Sequence, residues 1–295
     1  MIDLNGLAVA LATPFTADDT VDLPAFRRLV RHCVQGGVDT LVVLGSTGEA
    51  ATLLEAERDA LIAATLEEAA GRNVIAGTGS NATRQTATWT ARAQALGVHG
   101  ALVVTPYYNK PTVEGLVAHY GAVAQAAPGL PLIAYNVPGR TGLNLTPAAL
   151  TQLWENPAVV AVKESSGNLA QIGEIARTLP AGKTLLSGDD GLALASLAVG
   201  ATGLVSVLGN ALPKATKRLV DLGLARSPEA AALNARLLPL MDALFLESNP
   251  IPLKALLQEL GLCGDTMRLP LVAASAATRE KLRIALAAVS ALEAA

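Results

Sequence analysis

A chain of 295 residues has room for two ordinary domains or one large barrel with an appendage, at about 100–200 residues per domain. Hydrophobic residues make up 51% of it and charged residues 16%, which excludes a disordered chain, and aromatics at 3% leave a core packed with Ala, Leu, Val and Gly. The net charge of −3, with no block of Lys or Arg, offers nothing to a nucleic-acid backbone or an anionic membrane.

Eight apolar runs of strand length follow one another: LAVALATPF (7–15), TLVVLG (40–45), NVIAGTG (73–79), GALVVTP (100–106), PLIAYN (131–136), AVVAVK (158–163), KTLLSG (183–188) and GLVSV (203–207). They are near-continuous rather than alternating, as strands buried on both faces are. Helical patterns lie between them, such as 22–37, 53–71 and 81–97, each closed by a Gly stop signal. Strand and helix in eightfold alternation predict an α/β fold, a (β/α)8 TIM barrel. The charge-free stretch 191–213 contains Ser196, Thr202, Ser206 and Asn210, so it reads as a helix, a turn and a strand rather than a membrane span.

Beyond Val207 the patterns at 211–222, 228–246, 250–261 and 278–293 are all helical. They predict a catalytic barrel over residues 1–224 and a C-terminal helical extension, 225–295, packed on it. Asp3, Asp18, Asp19 and Asp22 are the wrong composition for a targeting peptide, and a cytoplasmic protein is expected. Cys33 and Cys263 match no zinc or redox spacing, and His32, His99 and His119 form no metal-binding pair, so neither a disulfide nor a metal is expected.

Residues near the strand ends recur at a nearly fixed interval. The spacing from Tyr107 to Tyr135 is repeated from Tyr135 to Lys163, Gly79 stands the same distance before Tyr107, and Thr47 slightly further before Gly79. One βα unit per interval places all five on the C-terminal rim of the barrel, where this fold does its chemistry.

Lys163 ends an apolar run, so its stem is enclosed by neighbouring strands, and desolvation favours a free amine able to attack a carbonyl. Tyr135 closes the preceding strand and the Tyr107–Tyr108 pair follows the one before that, putting three of the four tyrosines at this rim as proton carriers. The turn GSTGE (45–49) offers backbone N–H groups with the Ser46 and Thr47 hydroxyls beside them, a place for a small carboxylate, and Arg140 in YNVPGRTG has the planar fork for a second one. A lysine amine, phenols and two carboxylate sites point to carbon–carbon bond chemistry on a keto acid through an imine.

The segments GSTGEAATL, GTGSNAT, VTPYYNKP, YNVPGRTG, VKESSGN, SGDD, ESNPIPLKALLQELGL and RLPL together resemble the dihydrodipicolinate synthase branch of the pyruvate-dependent class I aldolases, the N-acetylneuraminate lyase superfamily. The likeness covers nearly the whole chain. It implies a lyase that joins pyruvate to L-aspartate 4-semialdehyde in diaminopimelate and lysine synthesis, with no metal or organic cofactor. It gives Lys163 the Schiff base, Tyr135 the neighbouring proton transfer, and Tyr108 and Ser46 the rest of a relay, Tyr108 being supplied across a dimer interface. Thr47 would hold the pyruvate carboxylate, Arg140 the carboxylate of the aldehyde, and Gly188 and Val205 would line the pyruvate site through their backbone. A homotetramer, built as a dimer of dimers, is implied as well.

Two departures from the pattern stand out. Ser46 occupies a position that is usually Thr in these synthases, keeping the hydroxyl and losing the methyl. Where lysine-inhibited relatives carry effector-binding residues, this chain has Glu55, Arg58 and Gln85, so weak or absent inhibition by L-lysine is expected. The competing readings are another Schiff-base keto-acid aldolase or dehydratase, and a catalytically silent pyruvate-binding homologue.

Overall fold

Eight short strands form where the apolar runs are: β1 (Gly6–Ala10), β2 (Thr40–Val43), β3 (Asn73–Gly77), β4 (Gly100–Val104), β5 (Leu132–Asn136), β6 (Val159–Glu164), β7 (Thr184–Ser187) and β8 (Gly203–Ser206). All pair in parallel and in sequence order, and β8 returns to β1, so the sheet closes into a barrel. The computed structural model describes residues 2–294.

Helices α1 (Leu23–Gln35), α2 (Glu55–Glu68), α3 (Thr83–Leu96) and α4 (Val113–Ala126) follow the first four strands. After β5 come the short α5 (Pro138–Thr141) and α6 (Pro147–Leu153); α7 (Leu169–Thr178), α8 (Ala193–Val199) and α9 (Pro213–Leu224) follow β6, β7 and β8. The remaining helices are α10 (Glu229–Ala243), α11 (Ile251–Glu259), α12 (Ala276–Val289) and α13 (Ala291–Ala294). The fold is therefore the (β/α)8 barrel with helices at its C-terminus that the periodicity predicts. The charge-free stretch forms the seven-residue α8 and strand β8, and no described helix is long and apolar enough to cross a membrane.

Two apolar layers explain why the strands read as continuous hydrophobic runs. Along each strand alternate side chains point to opposite faces. Leu7 and Val9 of β1 face the helices, as do Leu41 and Val43 of β2. Ala8, Ala10, Val42, Ile75, Leu102, Ile133, Ala161, Leu186 and Val205 fill the inside. With few aromatics to spend, the barrel is filled by aliphatic side chains, and the bulky exception on the inner face is Tyr135.

Local signals set the helix ends. The Asp22 carboxylate accepts from the N–H of Ala25 at the start of α1, with Pro24 in its first turn. Gly97 ends α3 in the left-handed region, φ 95°, where a side chain would be strained.

Candidate active site

The alternation that builds the barrel also aims the lysine. Ala161 points inward, so Lys163, two residues on, does too; Ile133 and Tyr135 stand in the same relation on β5. Tyr135 and Lys163 are register partners, and the Lys163 Nζ lies 4.2 Å from the centre of the Tyr135 ring. Both side chains are buried, Lys163 at 6% exposure. The next residue, Glu164, faces the other way and accepts from Asn136 Nδ2 and from the N–H of Ser166.

Gly188, just past β7, makes room for the amine. A Cβ there would stand 2.7 Å from Lys163 Cε and would clash with Ser165 Oγ. Val205 lies inside the barrel, in the same apolar cluster as Tyr135.

Above the strands opens a cavity of about 440 Å³ whose wall includes Ser46, Gly79, Tyr107, Tyr135 and Arg140. The β2 loop enters it as a single 3-10 turn, Ser46–Gly48, and Glu49 leaves that turn in the left-handed region at φ 52°. Thr13 Oγ1 donates to the Gly48 carbonyl and fixes the turn against the end of β1. Thr47 is buried, and its Oγ1 accepts from Asn249 Nδ2 at 2.9 Å. Arg140 reaches the same residue from the other side, its Nη2 donating to the Asn249 carbonyl at 2.9 Å.

The fixed interval in the sequence does not mark one layer. Across β4 and β5 the partner of Tyr135 is Val104, not Tyr107, and Gly77 pairs with Leu102. The tier level with Lys163 therefore runs through Tyr135 and Val104, with Gly79 packed against the Val104 backbone. Tyr107 and Thr47 sit in loops beyond their strands, and the equal spacing reflects loop lengths that compensate. Tyr107 lines the cavity, whereas Tyr108 does not: it is 88% exposed, with a strained φ of 73°.

Several wall residues were given no place at the active site by the sequence. Asn249, Pro270 and Leu271 come from beyond the barrel strands, and Arg58 and Trp89 from α2 and α3. Arg58 is buried, stacks 4.0 Å over the Trp89 ring and donates to the Gly77 and Ala50 carbonyls. Burial pushes its pKa down to about 10, against the opposing pull of Asp59 and Glu55.

Behind the β2 loop lies a buried ion pair. Lys254 Nζ donates to Glu49 Oε1 at 2.7 Å, and both side chains are shut off from solvent. Burial draws the ammonium below the ordinary lysine range while Glu49 opposes the shift. Glu49 Oε2 accepts from the N–H of Arg268, whose guanidinium is held by Glu57. A charge inside the apolar run IPLKALL was the available sign that Lys254 needs a buried partner. Among the described residues no group of three His, Cys, Asp or Glu is placed to hold a metal ion.

A closed parallel barrel with a buried lysine and tyrosine under a cavity at the C-terminal ends of its strands defines a barrel enzyme. The chain belongs to the dihydrodipicolinate synthetase family, whose model matches residues 3–289. It is 46% identical over 285 residues to the 4-hydroxy-tetrahydrodipicolinate synthase of Methylococcus capsulatus, covering 96% of this chain and 98% of that one. To the synthase of Xanthomonas campestris it is 48% identical over 278 residues, covering 94% and 91%. The dihydrodipicolinate synthase of Acinetobacter baumannii, solved with pyruvate, superposes with a TM-score of 0.95 at 40% identity, over 98% of this chain and 99% of that one.

Proposed function

We infer that this lyase is a 4-hydroxy-tetrahydrodipicolinate synthase and that Lys163 is its imine-forming residue. The observation that carries the assignment of Lys163 is its seat: an inward amine 4.2 Å from the Tyr135 ring, with Gly188 leaving space at its stem. The Lys163 amine attacks the C2 carbonyl of pyruvate and expels water, giving an imine. Loss of a C3 proton makes the enamine, and C3 then bonds to the aldehyde carbon of L-aspartate 4-semialdehyde. The amine of that substrate closes onto the imine carbon and releases Lys163, so no metal or organic cofactor takes part.

Tyr135 moves the protons that this sequence requires next to the amine. Ser46 and Tyr108 extend the relay. Tyr108 stands almost wholly in solvent on a strained backbone, a state suited to a side chain that a second copy of the chain receives, and a dimer of dimers would give each subunit that partner. Thr47 takes the pyruvate carboxylate and Arg140 the carboxylate of the aldehyde, with Gly188 and Val205 giving the pyruvate site its backbone surface. The two buried free thiols, Cys33 and Cys263, fit the reducing cytoplasm.

The test is a coupled assay with both substrates. Turnover that requires pyruvate and aspartate semialdehyde together supports the assignment; turnover of another aldehyde in preference would move the chain to a neighbouring aldolase.

A further inference from the structure

Asn249 is the residue on which the Thr47 and Arg140 side chains converge, and it comes from the segment leading into α11, about 200 positions from Thr47. We propose that Asn249 is a positioning residue that sets the polarity of the Thr47 hydroxyl. The proposal rests on the reading of Thr47 given above.

A threonine hydroxyl has one proton to donate and two lone pairs. At Thr47 one lone pair takes the Asn249 amide N–H at 2.9 Å. The hydroxyl proton cannot point along that bond, so it must be donated elsewhere. A carboxylate accepts and never donates, so a hydroxyl with its proton already turned outward is matched to it before binding. Turned the other way, with an acceptor at 249, the same hydroxyl would present its lone pairs to an anion and repel it.

The amide is well placed for this task. Asn249 is 6% exposed, and its Oδ1 has no hydrogen-bond partner among the described residues, so the bond to Thr47 is what orients the side chain. Its contact with Arg140 runs through the main-chain carbonyl instead. Side-chain substitutions therefore separate the two arms. The Lys254–Glu49 pair, one turn further along α11, anchors the far end of the same β2 loop and holds Thr47 within reach.

The measurement is the pyruvate dependence of borohydride-trapped adduct on Lys163, in the full-length enzyme. Asn249→Asp keeps the shape and removes the donor; it is expected to raise half-saturating pyruvate by about tenfold or more, a size in keeping with loss of a hydrogen bond to a charged group. Trapping at saturating pyruvate should match wild type, and the KM for the aldehyde should change by less than about threefold, since the Arg140 contact is to the backbone. Asn249→Ala should show the same trend and cost nothing further in a Thr47→Val background.

Wild-type pyruvate dependence in Asn249→Asp, or full additivity of Asn249→Ala with Thr47→Val, would overturn the proposal. So would loss of trapping at saturating pyruvate in both single variants, which would assign Asn249 to the fold. If Thr47→Val alone binds pyruvate like wild type, the reading of Thr47 itself fails and takes the proposal with it.

Discussion

Lys163 and Tyr135 meet because β5 and β6 hold them in register, and Gly188 leaves the lysine stem the space it occupies. A single methyl at 188 tests that arrangement. Gly188→Ala would bring a carbon to 2.7 Å from Lys163 Cε, and displacing a reacting group by about 1 Å costs on the order of 100-fold. We expect kcat to fall by that order while the unfolding midpoint moves little, checked by steady-state kinetics beside thermal melts; an unchanged kcat would show that the amine does not work from this position. Arg140 offers the complementary test. Arg140→Ala should raise the KM for aspartate semialdehyde strongly and leave borohydride trapping of pyruvate intact, whereas equal loss of both would place Arg140 at the pyruvate end.

At the scale of elements, the β2 loop and α11 are tied by the buried Lys254–Glu49 pair. Removing one partner strands a buried charge, which costs about 3–5 kcal/mol, while replacing both with apolar groups is often near neutral. Lys254→Met should therefore destabilise the protein by that amount in denaturant titrations, and Lys254→Met with Glu49→Leu should recover most of it. On α4, His119 is buried, with Nδ1 3.0 Å from Thr83 Oγ1, and burial pushes its pKa down to about 4. The native state thus binds fewer protons than the unfolded chain, whose histidine titrates near 6.5. The contribution of neutral His119 is complete above about pH 6.5 and is lost as pH falls toward about 4, by up to about 3 kcal/mol. Comparison with His119→Gln isolates it: the variant should lose stability less steeply across that window, and parallel curves would refute the assignment.

Much of this was legible in the chain itself. The eight strands declared themselves because both of their faces are buried, one against the helices and one inside the barrel. Lys163 and Tyr135 were readable because a polar residue ending an apolar strand has one inner face to point into. The fixed interval groups Tyr107 and Thr47 on the same rim but does not give their height, since they sit in loops beyond their strands and loop lengths carry no signature of height above the sheet. Asn249 and the Glu49–Lys254 pair escaped for a different reason. Their partners lie about 200 positions away, and only the closed barrel with α11 against it brings them together.

For the whole molecule, the proposed role of the exposed Tyr108 would tie activity to assembly. Tyr108→Phe should reduce kcat while leaving sedimentation unchanged, and a variant that stays monomeric at assay concentration should lose activity similarly; a fully active monomer would remove Tyr108 from the relay. Arg58, at one of the positions where the resemblance places effector-binding residues, is a buried cation stacked on Trp89 and bonded to two carbonyls. L-lysine should inhibit weakly or not at all, and inhibition at sub-millimolar concentration would contradict this.

The central claim is covalent, and it can be weighed directly. Incubation with pyruvate and borohydride, followed by peptide mass spectrometry, should find the reduced adduct on Lys163 in the wild-type enzyme and none in Lys163→Ala, which should also be inactive. An unmodified Lys163, an adduct on another lysine, or a Lys163→Ala enzyme that turns over like wild type would contradict the account.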